Sequence, residues 1–366
     1  MVDVSDDILF KGLLLQDLQL SNRMVMAPLT RCRSSEDGIP NKLARTYYSQ
    51  RASIGLIITE ATQISAQGQG YVRTPGIYTD KQVEEWKQIV KHVHDNNGKI
   101  FIQLWHVGRH SHSDFRSDGE LPVAPSSIAE EGLILTPKGR KKCQVPHALS
   151  LEEIDSVIND YKIASANALE AGFDGIEIHA ANGYLIDQFL QDGTNKRGDI
   201  FGGSLENRFR FLKNILEEVL KVWDNKRVGV RMSPFSRRLG IFDSDPYKHF
   251  SYFVKMLNRF PLAYLHLIEP TIQEAEYYKV ENRTIIPFFR KQYNGVLIAC
   301  SEFNCKMAKD WLNNNYADLI AFGRPVIANP DLLERYKNNW PLNEVHEETF
   351  YKGEELGYID YPFYYQ

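Results

Sequence analysis

Eight short apolar runs, separated by longer amphipathic stretches, constrain this chain more than any other feature. They are Arg23 to Ala27, Gly55 to Thr59, Ile100 to Leu104, Phe173 to Ile178, Arg227 to Met232, Ala263 to Ile268, Val296 to Ala299 and Ala317 to Phe322. Runs rich in Val, Ile and Leu without a polar face read as strands covered on both sides, as in a parallel sheet packed under helices. The segments Asp80 to Asn96, Leu151 to Ala171, Leu205 to Trp223, Tyr247 to Arg259 and Cys305 to Asn315 read as those helices. The second shows the grammar: Ser150 can cap it, Glu153 completes a capping box, and Ile154, Val157, Ile158 and Tyr161 form one apolar stripe before Gly172 stops it. Eight alternations predict an α/β fold, a (β/α)₈ TIM barrel. The alternative, a doubly wound open sheet, would carry a Gly-x-Gly-x-x-Gly turn after a strand, and none is present.

The chain has 366 residues, 43% of them hydrophobic, enough for one barrel domain over 1–366; two smaller domains are the alternative. The interval from Gly108 to Pro146 is too long for an ordinary connection and predicts a lid-like insertion at about 108–148, after strand three. Within it, LPVAPSS and the basic run KGRKK at 138–142 read as loop, the latter as a solvated turn with contact to a cofactor phosphate as the minority reading.

A formal charge of −4, from 43 basic and 47 acidic residues, gives no excess attraction for nucleic acid or anionic lipid, so neither partner is expected. No apolar run approaches the roughly 20 residues that span a bilayer. The start, MVDVSDDILF, is acidic where a secretory signal is basic, and the end, PFYYQ, is not a peroxisomal address. Four scattered cysteines, Cys32, Cys143, Cys300 and Cys305, read as free thiols in a reducing compartment, which makes the cytoplasm the expected location. Monomer and dimer are both compatible with the sequence.

In a barrel, the residues at the C-terminal strand ends converge on one face. Here these are Thr30 and Arg31, Glu60, Gln103, His179, Arg231, Glu269, Ser301 and Glu302, and Gly323 and Arg324. An Arg inside VGVRMS or a Gln inside IFIQLW is costly unless an acceptor or donor meets it, so Arg231 and Gln103 read as ligand contacts. In GFDGIEIHAANGYLIDQFL the strand ends at His179, turns through Gly183, and enters a helix near Tyr184. His179 and Asn182 can donate two hydrogen bonds to one ligand oxygen, and Tyr184 carries a transferable proton. The competing reading has His179 satisfied by backbone and Tyr184 as packing. Gly323 and Arg324 suit a phosphate; the competing partner for Arg324 is Asp331. His106, His110 and His112 raise a zinc hydrolase as an alternative, although all three lie at one strand end and its loop, and no metal is expected.

Several segments together resemble the Old Yellow Enzyme family of flavin-dependent ene-reductases, especially the 12-oxophytodienoate reductase-like branch. They are MAPLTRCR (26–33), YYSQRASIGLIITEAT (47–62), TPGIYTDKQVEEWK (74–87), IQLWHVGR (102–109), EAGFDGIEIHAANGYLIDQFLQD (170–192), GGSLENRFRF (202–211), RVGVRMSPF (227–235), FGRPVIANPDL (322–332) and TFYKGEELGYIDYPF (349–363). The resemblance implies noncovalent FMN at the barrel mouth. Pro28, Leu29, Thr30, Ala61 and Gln103 would hold the flavin ring, with Arg231 at its N1 and O2 edge, and Ser301, Glu302, Gly323 and Arg324 would lie at its phosphate. It further implies that NADPH reduces FMN and is then replaced by an α,β-unsaturated carbonyl compound, in ping-pong order. His179 and Asn182 would bind the carbonyl oxygen, hydride would pass from flavin N5, Tyr184 would give the proton, and Tyr71, Trp105 and Tyr351 would line the substrate pocket. The chain departs from the family where Cys300, Ser301, Glu302 and Phe303 replace the usual two glycines, so Glu302 is expected to point to solvent, away from a phosphate. It also has Asn182 where this branch commonly has His. A flavin-binding protein with little turnover is the other alternative.

Overall fold

The computed structural model describes residues 7–223, 225–260 and 262–365. Part of the acidic start, residues 1–6, lies outside the described residues. All eight apolar runs become strands of one closed parallel barrel: β1 Met24–Met26, β2 Leu56–Gln63, β3 Ile100–Trp105, β4 Gly175–Ala180, β5 Val228–Met232, β6 Tyr264–Ile268, β7 Leu297–Cys300 and β8 Leu319–Phe322. Each pairs with its sequence neighbours, and β8 closes on β1 through Ile320 and Met24. The helices are α1 Leu43–Ser49, α2 Asp80–Asp95, α3 Leu151–Glu170, α4 Leu185–Leu190, α5 Leu205–Val219, α6 Pro246–Leu257, α7 Ile272–Tyr278, α8 Ile286–Arg290, α9 Cys305–Asn313, α10 Arg324–Ala328 and α11 Leu332–Asn338. The Ser150–Glu153 capping box on α3 forms as read. No described helix is long and apolar enough to cross a membrane.

Alternation along the strands separates two environments. Outward residues such as Ile102, Ile176, Val230 and Leu265 join the core between barrel and helices. Inward residues near the strand starts, among them Val25, Leu56, Phe101, Tyr264, Ile298 and Leu319, form a separate apolar plug. Phe101 and Tyr264 stack there at 5.9 Å, and a Cβ on Gly175 or Gly229 would come within 2.3 Å of one of those rings. The hairpin Leu13–Leu15 and Leu18–Leu20 closes that end, with Gln16 Nε2 donating to Leu262 O at 3.1 Å.

Two local differences from the sequence reading have physical causes. Strand β2 runs on to Gln63 because its register against β3 shifts between Ile58 and Ala61. The shift turns Glu60 away from the mouth: Oε2 accepts from Arg31 N at 3.2 Å, and Tyr48 Oη faces Oε1 at 3.4 Å. Within the insertion, KGRKK is no loop. Gly139–Lys142 pairs with Leu133–Thr136 as a hairpin, and Lys138 and Lys141 bind Asp114 at 3.3 and 2.6 Å. Val123–Ala124 of LPVAPSS likewise pairs with His147–Ala148.

Arg31 does not reach the mouth either. Its buried side chain donates to Phe350 O at 3.1 Å and Gly357 O at 2.6 Å. Arg33 donates to the carbonyls of Thr349, Phe350, Lys352, Glu354 and Leu356, and Tyr358 stacks on Tyr47 at 4.1 Å. Together they strap the C-terminal segment against the barrel mouth. Replacing Arg33 by Ala leaves several carbonyls without a charged donor and is expected to cost roughly 3 kcal/mol. Urea unfolding and protease cleavage within 345–360 should register the loss; unchanged cleavage and midpoint would contradict the strap.

Candidate active site

Toward the C-terminal strand ends the inward positions change from apolar to polar. Gln103 and Glu177 are register partners, as are His179 and Arg231, and Arg231 and His266. Gln103 Nε2 donates to Glu177 Oε1 at 2.6 Å, and His266 Nδ1 meets Glu177 Oε2 at 2.8 Å. Burial opposes charge on Glu177 and His266, yet their mutual attraction prevails, holding the carboxyl below and the imidazole above its ordinary value.

Above this layer opens a cavity of about 750 Å³. Its walls carry Pro28, Leu29, Thr30, Ala61, Tyr71, Gln103, Trp105, His179, Asn182, Tyr184, Arg231, Ser301, Glu302, Gly323, Arg324 and Tyr351, so the residues that the resemblance assigns to flavin and substrate lie on one cavity, whereas Arg31, Glu60 and Glu269 do not. Ala61 reaches it because the β2 shift sets it opposite Gln103. Sequence reasoning missed Ile268, Arg238, Ile327, Glu347 and Phe350 on the walls, and Glu177 and His266 beneath; Cys300 and Phe303, read only as replacing the loop glycines, line the cavity as well. Two-residue alternation in GIEIHA and LHLI signals Glu177 and His266; the rim residues arrive from loops with no such period.

The turn after β4 is held from below. Asn182 takes a left-handed conformation, φ 59°, and its N–H donates to Ser233 Oγ at 2.7 Å. Gly183 N donates to Asp187 Oδ2 at 3.0 Å, and Gln188 Nε2 donates to Gly183 O at 2.7 Å and Val107 O at 3.1 Å. Tyr184 stands at the N-cap position of α4, and its hydroxyl shares a 2.9 Å hydrogen bond with Tyr71 Oη. The Trp105 and His179 rings lie nearly parallel at 6.2 Å, and Tyr184 meets both edge-on, at 4.8 and 5.1 Å.

Burial, aided by the Arg231 charge, holds His179 well below the ordinary imidazole range, so it is neutral. Its Nδ1 is buried without a partner, which the backbone-satisfied reading does not allow for. Burial also raises the Tyr184 phenol, keeping its proton in place at neutral pH. Arg231 is 7% exposed, its Nε has no partner, and its Nη2 donates to Cys300 Sγ at 3.4 Å. A buried guanidinium and an imidazole nitrogen, both short of acceptors or donors, suit a planar heteroaromatic ring with carbonyl edges such as that of FMN.

The phosphate end differs from expectation. Glu302 is exposed, yet its Oε1 lies 3.4 Å from Arg324 Nη1 and its Oε2 lies 3.6 Å from Arg283. Glu347 takes Arg324 Nε at 3.3 Å, so a phosphate on Arg324 displaces carboxylates. Asp331 pairs with Arg335 at 2.6 Å and not with Arg324. Glu269 turns from the mouth to accept from Ile285 and Ile286 N at 2.7 and 3.0 Å.

The three histidines of the zinc reading do not converge. His106 Nδ1 accepts from Gly108 N, His110 binds Glu130 at 2.7 Å, and His112 Nδ1 accepts from Asp114 N. Among the described residues the one metal-like cluster is Asp192, Asp243 and His249. There the Arg208 guanidinium already supplies the cation, 3.0 Å from Asp243 and 3.1 Å from His249.

Residues 8–343 match the NADH:flavin oxidoreductase / NADH oxidase family. The chain is 44% identical over 353 residues to 12-oxophytodienoate reductase 1 of Oryza sativa subsp. japonica, covering 94% of this chain and 90% of that protein. It superposes on a structure of morphinone reductase in complex with tetrahydroNAD with TM-score 0.89 and 44% identity, over 97% of each chain. The old yellow enzyme homologue from Zymomonas mobilis gives TM-score 0.92 and 43% identity, over 97% of this chain and 99% of that one.

Asp187 anchors the turn and offers a pH test. Burial pushes its carboxyl up to about 7 against the hydrogen bonds it accepts. A folded value above the unfolded value, about 3.9, means that its stabilising contribution is complete below about pH 4 and is lost as pH rises through 7. Asp187→Asn is therefore expected to flatten the fall in stability between about pH 4 and 7. Part of that fall should remain, because burial also lifts Glu60 and Glu269 to about 7. Denaturant midpoints across that range decide it; an unchanged slope would contradict the assignment.

Proposed function

This chain belongs to the NADH:flavin oxidoreductase / NADH oxidase family and is an FMN-dependent oxidoreductase of the Old Yellow Enzyme type, and from that premise we propose a specific reaction. The protein reduces the activated C=C bond of α,β-unsaturated carbonyl compounds, with NADPH as reductant and with the two substrates entering in turn. The observation that carries this reading is the meeting of His179, Asn182 and Tyr184 on the wall of a cavity whose floor holds Gln103 and Arg231. One cavity serving both substrates supports the ping-pong order. The whole chain acts as a single FMN-binding barrel domain, with the 108–148 insertion buttressing the wall: His110 packs against Tyr71 at 4.9 Å, and Arg109 donates to Leu239 O at 2.9 Å.

Bound FMN would rest against Pro28, Leu29, Thr30, Ala61, Gln103 and Arg231 with its phosphate toward Ser301, Glu302, Gly323 and Arg324, and it supplies hydride acceptance and donation. The protein's own groups do the rest. His179, being neutral, offers one N–H, and the Asn182 amide offers a second, so the carbonyl oxygen of an enone is polarised without a full positive charge beside it. That pair stabilises the negative charge that develops on the oxygen as the β carbon is reduced. Tyr184 delivers a proton to the α carbon, and the Tyr71 hydroxyl, 2.9 Å away, keeps the phenol oriented. Trp105, Tyr71 and Tyr351 form aromatic walls around an apolar enone. The tetrahydroNAD bound to morphinone reductase supports a reduced nicotinamide nucleotide as hydride source.

Tyr184→Phe is expected to slow enone reduction by about 10²- to 10⁴-fold while leaving flavin reduction by NADPH within roughly two-fold. Anaerobic stopped-flow absorbance separates the half-reactions; equal loss in both would contradict the proton-donor role. Flavin reduced faster by NADH than by NADPH would overturn the choice of reductant, and flavin left oxidised by both would favour a carrier without turnover.

A further inference from the structure

The floor of the cavity holds a nucleophile that the proposed reaction does not use. Cys300 ends β7, is partly exposed, and lines the same cavity as Arg231. Its sulfur is the hydrogen-bond acceptor of the Arg231 guanidinium at 3.4 Å, and Arg231 Nε faces no other partner. His266, from β6, is fully buried beside this pair, its Nδ1 on Glu177 and its Nε2 without a hydrogen-bond partner. Of the titratable and charged groups around the sulfur, Arg231 brings a positive charge and His266, held above its ordinary value by Glu177 against the effect of burial, faces it from β6; Glu302, Glu347, Arg238 and Arg324 lie on the wall of the same cavity. An anionic sulfur therefore answers the buried Arg231 guanidinium, whose Nε has no other acceptor.

We propose that Cys300 is a covalent modification site for soft electrophiles of the α,β-unsaturated carbonyl class, open when the cavity lacks flavin and covered when flavin is bound. The thiolate sulfur forms a C–S bond to the β carbon of the electrophile. The C=C electron pair moves to the α carbon and carbonyl as an enolate, which takes a proton from solvent; no oxidant or reductant is consumed. Burial alone would raise the Cys300 thiol, but Arg231 and His266 outweigh it and bring the thiol down to about 7. The other three cysteines go the other way: burial raises Cys143 and Cys305 and pushes Cys32 up to about 12. The same compounds that serve as substrates of the flavin-loaded protein thus inactivate the cofactor-free chain, and flavin loading is the protection.

The test uses the full chain stripped of flavin, with its fold verified by its regaining FMN binding, beside the flavin-loaded protein. N-ethylmaleimide is the electrophile, and labelled peptides are quantified by mass spectrometry at pH 7. Cys300 is expected to react about ten-fold or more faster than Cys143 or Cys305, and bound FMN is expected to slow it about ten-fold or more. Cys300→Ser should remove the fast phase and leave the labelling of Cys143 and Cys305 unchanged. Labelling of Cys300 no faster than Cys143 or Cys305, or labelling undiminished when flavin fluorescence shows FMN bound, would overturn the proposal. The protection arm rests on the cofactor reading. Failure of FMN to bind at all contradicts that reading separately, and the order of labelling then decides for Cys300.

Discussion

The Arg231 guanidinium, buried among parallel strands with a thiol sulfur as its hydrogen-bond partner, sets the terms for the rest of the site. Strand periodicity points Arg231 of β5 inward beside His179 and His266, its register partners on β4 and β6. A cation in that position is tolerated only where acceptors meet it. Below, Glu177 is already taken by Gln103 and His266, and so the unmet capacity of Arg231 faces upward into the cavity. The apolar plug of Phe101, Tyr264 and Ile298 closes the opposite end, leaving the mouth as the side from which a partner can arrive. This arrangement of charges suits a ring whose edge carries carbonyl acceptors.

Rigidity at the mouth comes from loops tied to the barrel by buried polar side chains. Asp187, Gln188 and Ser233 fix the turn that carries Asn182 and Tyr184, so the two hydrogen-bond donors and the phenol keep their spacing without a ligand. Across the cavity, Arg31 and Arg33 hold the segment that brings Phe350 and Tyr351 to the wall. Both supports aim buried polar or charged side chains at backbone atoms, which positions the loops more tightly than apolar packing alone.

The barrel and most of its site were legible in the sequence because strand periodicity governs both. The eight runs and the helices between them appear within a few residues of their expected ends, and His179, Gln103 and Arg231 follow from inward positions on those strands. Glu177 and His266 obey the same period, yet only the structure reveals that they bind each other. Where register slips, the reading fails: the shift in β2 sends Glu60 outward and puts Ala61 in its place. Glu269 and Arg31 sit at strand ends as expected but find backbone partners away from the mouth, and KGRKK pairs as a hairpin because Asp114 gathers its lysines. Arg238, Glu347 and Phe350 come from connections whose paths depend on tertiary contacts, so no local pattern announces them.

The central claim is that the unmet donors on the cavity floor grip a flavin ring, and calorimetric titration of the flavin-stripped chain tests it most directly. FMN is expected to bind one to one, and Arg231→Met is expected to weaken FMN and riboflavin by a similar factor, about ten-fold or more, because the contact is with the ring both share. Absent binding of FMN, or affinities for both flavins that ignore the loss of Arg231, would contradict the account.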